Sequence, residues 1–152
     1  VSKKKVILLS LVLILLTFTS GCGGQDQSKG QEKEAEVMYI EAKSKVNQEK
    51  ADSAKRELVK MKEVKEVRGA AVDDDIYLAL TVEGFDRLFL DRIRKDAHQK
   101  IKKKYPDDNI HITTDRKLSS DLEKLEKKLS KDGVKKGDLK QNLKKIEDDM
   151  KG

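Results

Sequence analysis

Ala70-Ala71-Val72-Asp73-Asp74-Asp75-Ile76-Tyr77-Leu78-Ala79-Leu80-Thr81-Val82 is the stretch on which the fold turns. Ile76, Leu78, Leu80 and Val82 alternate with Tyr77, Ala79 and Thr81. A period of two places an unbroken aliphatic row on one face of a strand. Ala70-Ala71-Val72 is a shorter apolar run, and the three aspartates between the runs form a polar turn, so residues 69–84 predict a β-hairpin. An aliphatic sheet face must be covered, and the flanking sequence supplies helices that can cover it.

Upstream, residues 34–65 carry a helical pattern. Ala51, Ala54, Leu58 and Met61 recur at three and four residues, preceded at looser spacing by Val37, Ile40 and Val46. Downstream, Leu90, Ile93, Ala97 and Ile101 trace one stripe of a helix over residues 86–104, which Pro106 stops. Asn109 to Thr114 reads as a third strand with Ile110 and Ile112 on one face. Ser120-Asp121-Leu122-Glu123 has the form of a capping box for a helix bearing Leu118, Leu122, Leu125 and Leu129. Asp138 opens a last helix with Leu139, Leu143, Ile146 and Met150. The order helix, strand, strand, helix, strand predicts an α+β fold over residues 34–117. Its form is a small two-layer α/β sandwich with helices on one face of a three-stranded sheet. Residues 118–152 are two charged amphipathic helices that either pack on this unit or extend from it.

Composition narrows the function. The 152 residues are 41% charged, 36% apolar and 4% aromatic, which excludes a multi-spanning membrane protein and a large doubly wound enzyme. Two lobes closing on a solute need far more chain. A single Cys excludes an internal disulfide, and two His leave little for a metal centre. Of the 34 Lys and Arg, three lie in the first 21 residues with no acid, so the rest carries 31 against 28 Asp and Glu, a net of +3. Those charges are interspersed, so no nucleic-acid partner is expected.

The first 21 residues have the pattern of a signal peptide. Lys3-Lys4-Lys5 precede the apolar run Val6 to Leu16, then Thr17-Phe18-Thr19-Ser20-Gly21 lead to Cys22. Eleven residues at about 1.5 Å each make roughly 17 Å of helix, short of a bilayer core of about 30 Å. Ser20-Gly21-Cys22 resembles the lipobox of bacterial lipoproteins, which implies a diacylglyceryl group on the Cys22 sulfur and cleavage between Gly21 and Cys22. Thr19 departs from the Leu usual at that place. Residues 22–33, rich in Gly, Gln and Ser, read as a flexible tether from the lipidated Cys.

Taken in order, the lipobox, the tether, Val67-Arg68-Gly69-Ala70-Ala71-Val72, the Asp-Asp-Asp-Ile-Tyr-Leu-Ala-Leu hairpin, the Lys-Lys-Lys-Tyr-Pro helix end and the strand into Thr113-Thr114-Asp115 resemble the YhcN/YlaJ family of sporulation lipoproteins. The layout of the core is also similar to BON-type domains, small adaptor modules. The resemblance implies a lipid-anchored protein on the extracytoplasmic side of a plasma or forespore membrane. It further implies a role in spore formation, cortex or germination, no enzymatic activity, no cofactor and no small-molecule substrate. The partners implied are the membrane, an envelope protein, peptidoglycan or anionic lipid. The other reading from a different class is a lipid-tethered envelope enzyme, or an accessory subunit of one.

Few residues carry chemistry. Asp73-Asp74-Asp75 offers clustered oxygens to a cation but lacks the spacing of a calcium loop, and reads as a solvated turn. His98 and His111 have no nucleophile or acid placed beside them by spacing, so neither a catalytic residue nor a metal ligand is assigned. Tyr77 either docks on a partner or packs under a neighbouring element. Lys102, Lys103 and Lys104, with Lys100, Lys135 and Lys136, either touch an anionic partner or form solvated helix faces.

Overall fold

The computed structural model describes residues 35–131 and 133–152, so the signal segment 1–21 and the whole tether 22–33, with Gly21 and Cys22, lie outside the described residues. The chain runs β1 (Glu36–Val37), α1 (Glu49–Leu58), β2 (Val64–Val72), β3 (Asp75–Val82), a 3-10 segment (Gly84–Phe89), α2 (Leu90–Lys104), β4 (Asn109–Thr113), α3 (Arg116–Lys131) and α4 (Lys136–Lys151). The strands form one mixed sheet in the order β1-β2-β3-β4. β2 and β3 are the antiparallel hairpin, and β1 and β4 add to its two edges in parallel.

The hairpin turns on two residues, because Val72 pairs with Asp75 and leaves Asp73 and Asp74 between them. Asp73 sits at φ 54, in the left-handed region that a short polar side chain tolerates better than a branched one. At mid-sheet Gly69 faces Leu78, and a Cβ on Gly69 would lie 2.6 Å from the Tyr77 carbonyl oxygen and 2.7 Å from Leu78 Cδ2. The close approach of the two strands depends on that missing side chain.

The α+β class stands, and both sheet faces are covered. On one, Ala51, Ala54 and Leu58 of α1 and Ile93, Ala97 and Ile101 of α2 close over Val67, Ile76, Leu78 and Leu80. On the other, Leu118, Leu122 and Leu129 of α3 and Leu139 and Leu143 of α4 close over Ala70, Tyr77 and Ala79. The C-terminal helices therefore pack on the sheet as a third layer, in the same unit as the hairpin, Lys33–Gly152.

Three expectations need correction. Residues 34–65 are not one helix: they hold β1, a loop, the ten-residue α1 and the start of β2. Ile40 belongs to the core under α3 and α4, and Val64 and Val67 line the α1–α2 face, so their wide spacing reflects different layers. The sheet has four strands, since β1 contributes two residues against Glu66 and Val67. The cap of α3 is Asp115, whose Oδ1 accepts the Leu118 N–H at 2.9 Å, while Ser120 lies inside the helix.

Candidate functional site

The brevity of β1 creates the most unusual chemistry in the fold. Past Val37 nothing continues the strand, so the outer edge of β2 presents backbone groups that must be satisfied elsewhere. The Gln48 side-chain amide pairs with both the N–H and the C=O of Ala71, each at 2.9 Å, as a strand residue would. Glu126 of α3 accepts the Gly69 N–H at 2.9 Å with Oε1. Lys55 of α1 donates to the same Oε1 at 2.9 Å, stands 2.7 Å from Asp52 Oδ1, and donates to the Met38 carbonyl. Asp52 in turn accepts the Ile40 and Glu41 N–H groups at 2.8 and 2.7 Å. Arg68 binds Glu36 and Glu66 at 2.6 Å each and lies 3.6 Å from Glu126 Oε2.

Gln48, Asp52, Lys55 and Glu126 are all fully buried. Burial raises the Glu126 carboxyl above its ordinary value, and Lys55, the Gly69 N–H and Arg68 pull against that rise. These four side chains have no solvent exposure, and the cluster ties α1, β2 and α3 together.

A second polar group opens to solvent between the sheet and α4. His111 Nε2 lies 3.2 Å from Asp75 Oδ1, and the Tyr77 ring stacks on the His111 ring at 4.3 Å and 6°. The Tyr77 hydroxyl donates to Glu147 Oε2 at 3.4 Å. Burial, then Asp75 and Glu147, push the Tyr77 hydroxyl well above the usual tyrosine range, so it stays a donor. Lys151, then Lys144, hold Glu147 down at about 2, so it stays an acceptor. Beside them is an open cleft of about 730 Å³ lined by Lys140, Lys144 and Asp148 among others, with no Ser, Thr or Cys on its wall. An imidazole with a carboxylate partner can move a proton, and the Ser, Thr or Cys that such a pair ordinarily activates for acyl transfer is not on this wall.

Of the residues named from sequence, Asp75, Tyr77 and His111 come together; His98 and the Lys102–Lys104 run do not join them. Tyr77 is 3% exposed, so of its two positions it takes the one under α4, inside the domain. Lys102 donates to the Asp108 carbonyl at 2.7 Å and Lys104 to Ser53 Oγ at 2.7 Å. Lys103 stays exposed. All three lie at the hairpin-turn end of the sheet, where Asn109 pairs with Asp75. His98 is exposed on α2 and His111 faces α4, on opposite sides of the sheet. Among the described residues no group of three or more His, Cys, Asp or Glu has the arrangement to hold a metal ion. No helix among them is long and apolar enough to cross a membrane.

Sequence reasoning did not single out Gln48, Asp52, Lys55 or Glu126. On amphipathic helices such residues read as a solvent face, and only the short β1 turns that face inward. Nor did it single out Phe85 and Leu88, which are 89% and 78% exposed on the 3-10 segment.

Neither the curated proteins nor the solved structures include a match to the chain. The family described as Sporulation lipoprotein YhcN/YlaJ matches residues 19–151, from the residues just before Cys22 to the last turn of α4. With the sheet and the helices described above all within that one span, the chain belongs to the YhcN/YlaJ family of sporulation lipoproteins.

Proposed function

We propose that the chain is cut before Cys22 and carries a diacylglyceryl group on that sulfur. Its domain is then held on the extracytoplasmic side of the plasma or forespore membrane of the sporulating cell. There it acts without catalysis, in spore formation, cortex or germination, by contact with an envelope protein, peptidoglycan or lipid. The span of the family match supports this reading, since residues 19–151 take in Ser20-Gly21-Cys22 as well as the folded domain. Two acyl chains on one sulfur suffice for stable anchoring. Lys103, exposed at the hairpin end with Lys102 and Lys104 beside it, is offered to an acidic envelope partner.

The His111–Asp75 pair beside an open cleft favours the second reading, a lipid-tethered enzyme or an accessory subunit of one. Against it stand the stacked Tyr77 ring, whose hydroxyl is turned to Glu147, and the lack of a Ser, Thr or Cys on the cleft wall. The anchor common to both readings is tested in a strain lacking the protein, complemented with wild type or Cys22→Ala and scored by spore yield and germination rate. Anchored contact predicts failure of Cys22→Ala at equal protein level; full complementation by that variant would overturn it.

A further inference from the structure

Among the described residues four large apolar side chains are exposed, and three of them fall within five positions of the 3-10 segment: Phe85 at 89%, Leu88 at 78% and Phe89 at 52%. Scattered exposed leucines are ordinary, but two phenylalanines and a leucine on one turn make a patch that water solvates poorly. No residue of this segment is buried, so the patch contributes nothing to the core.

Its place in the fold indicates what covers it. β1 enters the sheet at Glu36, which pairs with Glu66, and Glu66 pairs with Thr81 near the end of β3. Gly84 follows three residues after Thr81. The chain arriving from Cys22 and the chain leaving for Phe85 thus meet the sheet at the same end, about 10 Å apart at two strand spacings. The Lys102–Lys104 run lies at the opposite end, roughly 26 Å away over the eight residues of β3. From Cys22 to Glu36 the chain spans at most about 50 Å, so whatever holds Cys22 lies within reach of the Phe85 end.

We infer that the 3-10 segment is a membrane-docking tip, with Phe85, Leu88 and Phe89 seated at the headgroup–acyl boundary of the bilayer that anchors Cys22. This rests on the lipid-anchored reading above. The charges around the tip are balanced: Arg87, Arg92, Arg94 and Lys95 face Glu83, Asp86, Asp91 and Asp96. Arg92 is held by Glu63 at 3.1 Å and Asp96 at 3.3 Å, and Arg94 by Asp91. The attraction is therefore apolar and does not require anionic lipid. Docking fixes the domain upright, with the hairpin end and Lys103 presented away from the membrane.

The chain has no Trp, so a single introduced indole reports its own surroundings. Lipidated full-length protein bearing Phe85→Trp, or Lys103→Trp as the opposite-end control, is reconstituted in phosphatidylcholine vesicles containing nitroxide-labelled lipid. The expected result is a blue-shifted emission quenched by the label for Phe85→Trp, and neither effect for Lys103→Trp. Adding Leu88→Asp to Phe85→Trp abolishes shift and quenching, while the melting temperature and the vesicle-bound fraction stay unchanged. Vesicle-bound protein with an unquenched Phe85→Trp overturns the docking tip and leaves the anchor standing. Protein that floats free of vesicles overturns both. A blue shift without quenching, accompanied by a dimer in light scattering, assigns the patch to a second copy and overturns the bilayer as its occupant.

Discussion

Glu126 is the residue on which the packing of the C-terminal helices most depends. It is buried, bears a charge against Lys55 and Arg68, and takes the one N–H that the short β1 leaves open at Gly69. Glu126→Ala leaves Lys55 with Asp52 and the Met38 carbonyl and leaves the Gly69 N–H without its acceptor, and removal of one partner from a buried pair costs about 3–5 kcal/mol. The Lys55→Met, Glu126→Leu double variant should lose far less than the sum of the single losses in urea melts, since it removes both charges together. The pH dependence has a definite sign. A carboxyl raised above 4.5 in the folded state binds its proton more tightly there. Its contribution to stability is full below 4.5 and is lost as pH rises through the folded value, so Glu126→Gln should flatten that slope. The histidines behave differently: His98 is exposed, and His111 makes one contact to Asp75 and one stack on Tyr77. The His98→Gln, His111→Gln double variant should lose about 1 kcal/mol in melts and complement spore yield and germination fully. Loss of complementation with fold and membrane attachment intact would put the enzyme reading first.

At the scale of elements, the tightest approach is between β2 and β3 at Gly69. A methyl there meets the Tyr77 carbonyl oxygen at 2.6 Å, a backbone atom that cannot swing aside. Gly69→Ala should cost about 1–3 kcal/mol, read as a lowered urea midpoint with unchanged slope. Gly84, unlike Gly69, has a positive φ, and it has open space around it, so Gly84→Ala tests backbone strain alone. The hairpin was legible because Ile76, Leu78, Leu80 and Val82 keep a strict period of two, and α2 because Ile93, Ala97 and Ile101 keep a helical one. β1 was not, since a strand of two residues has no period. The first half of β2 was hidden by Lys65, Glu66 and Arg68, which read as the end of a helix, although Glu66 and Arg68 pair with each other on the strand. Gln48 escaped notice because its role, pairing with Ala71 in place of a strand, exists only once β1 has stopped short.

For the whole molecule, three layers stack helix pair, sheet and helix pair, and the chain from Cys22 enters at the end that carries Phe85 and Leu88. The opposite end carries the hairpin turn, Asp108 and the Lys102–Lys104 run, ordered by the Lys50–Asp108 bridge at 2.8 Å and the Lys102 bond to the Asp108 carbonyl. On the proposed reading this polarity gives the domain one end for the bilayer and one for a partner, with Cys22 as the anchor. The mass of the N-terminal peptide of the protein from membranes of sporulating cells tests that anchor most directly. The account predicts a peptide that begins at Cys22 and carries a diacylglyceryl group, with both features lost in Cys22→Ala. A peptide in which Gly21 still precedes an unmodified Cys22 thiol, recovered from the same membranes, would contradict it.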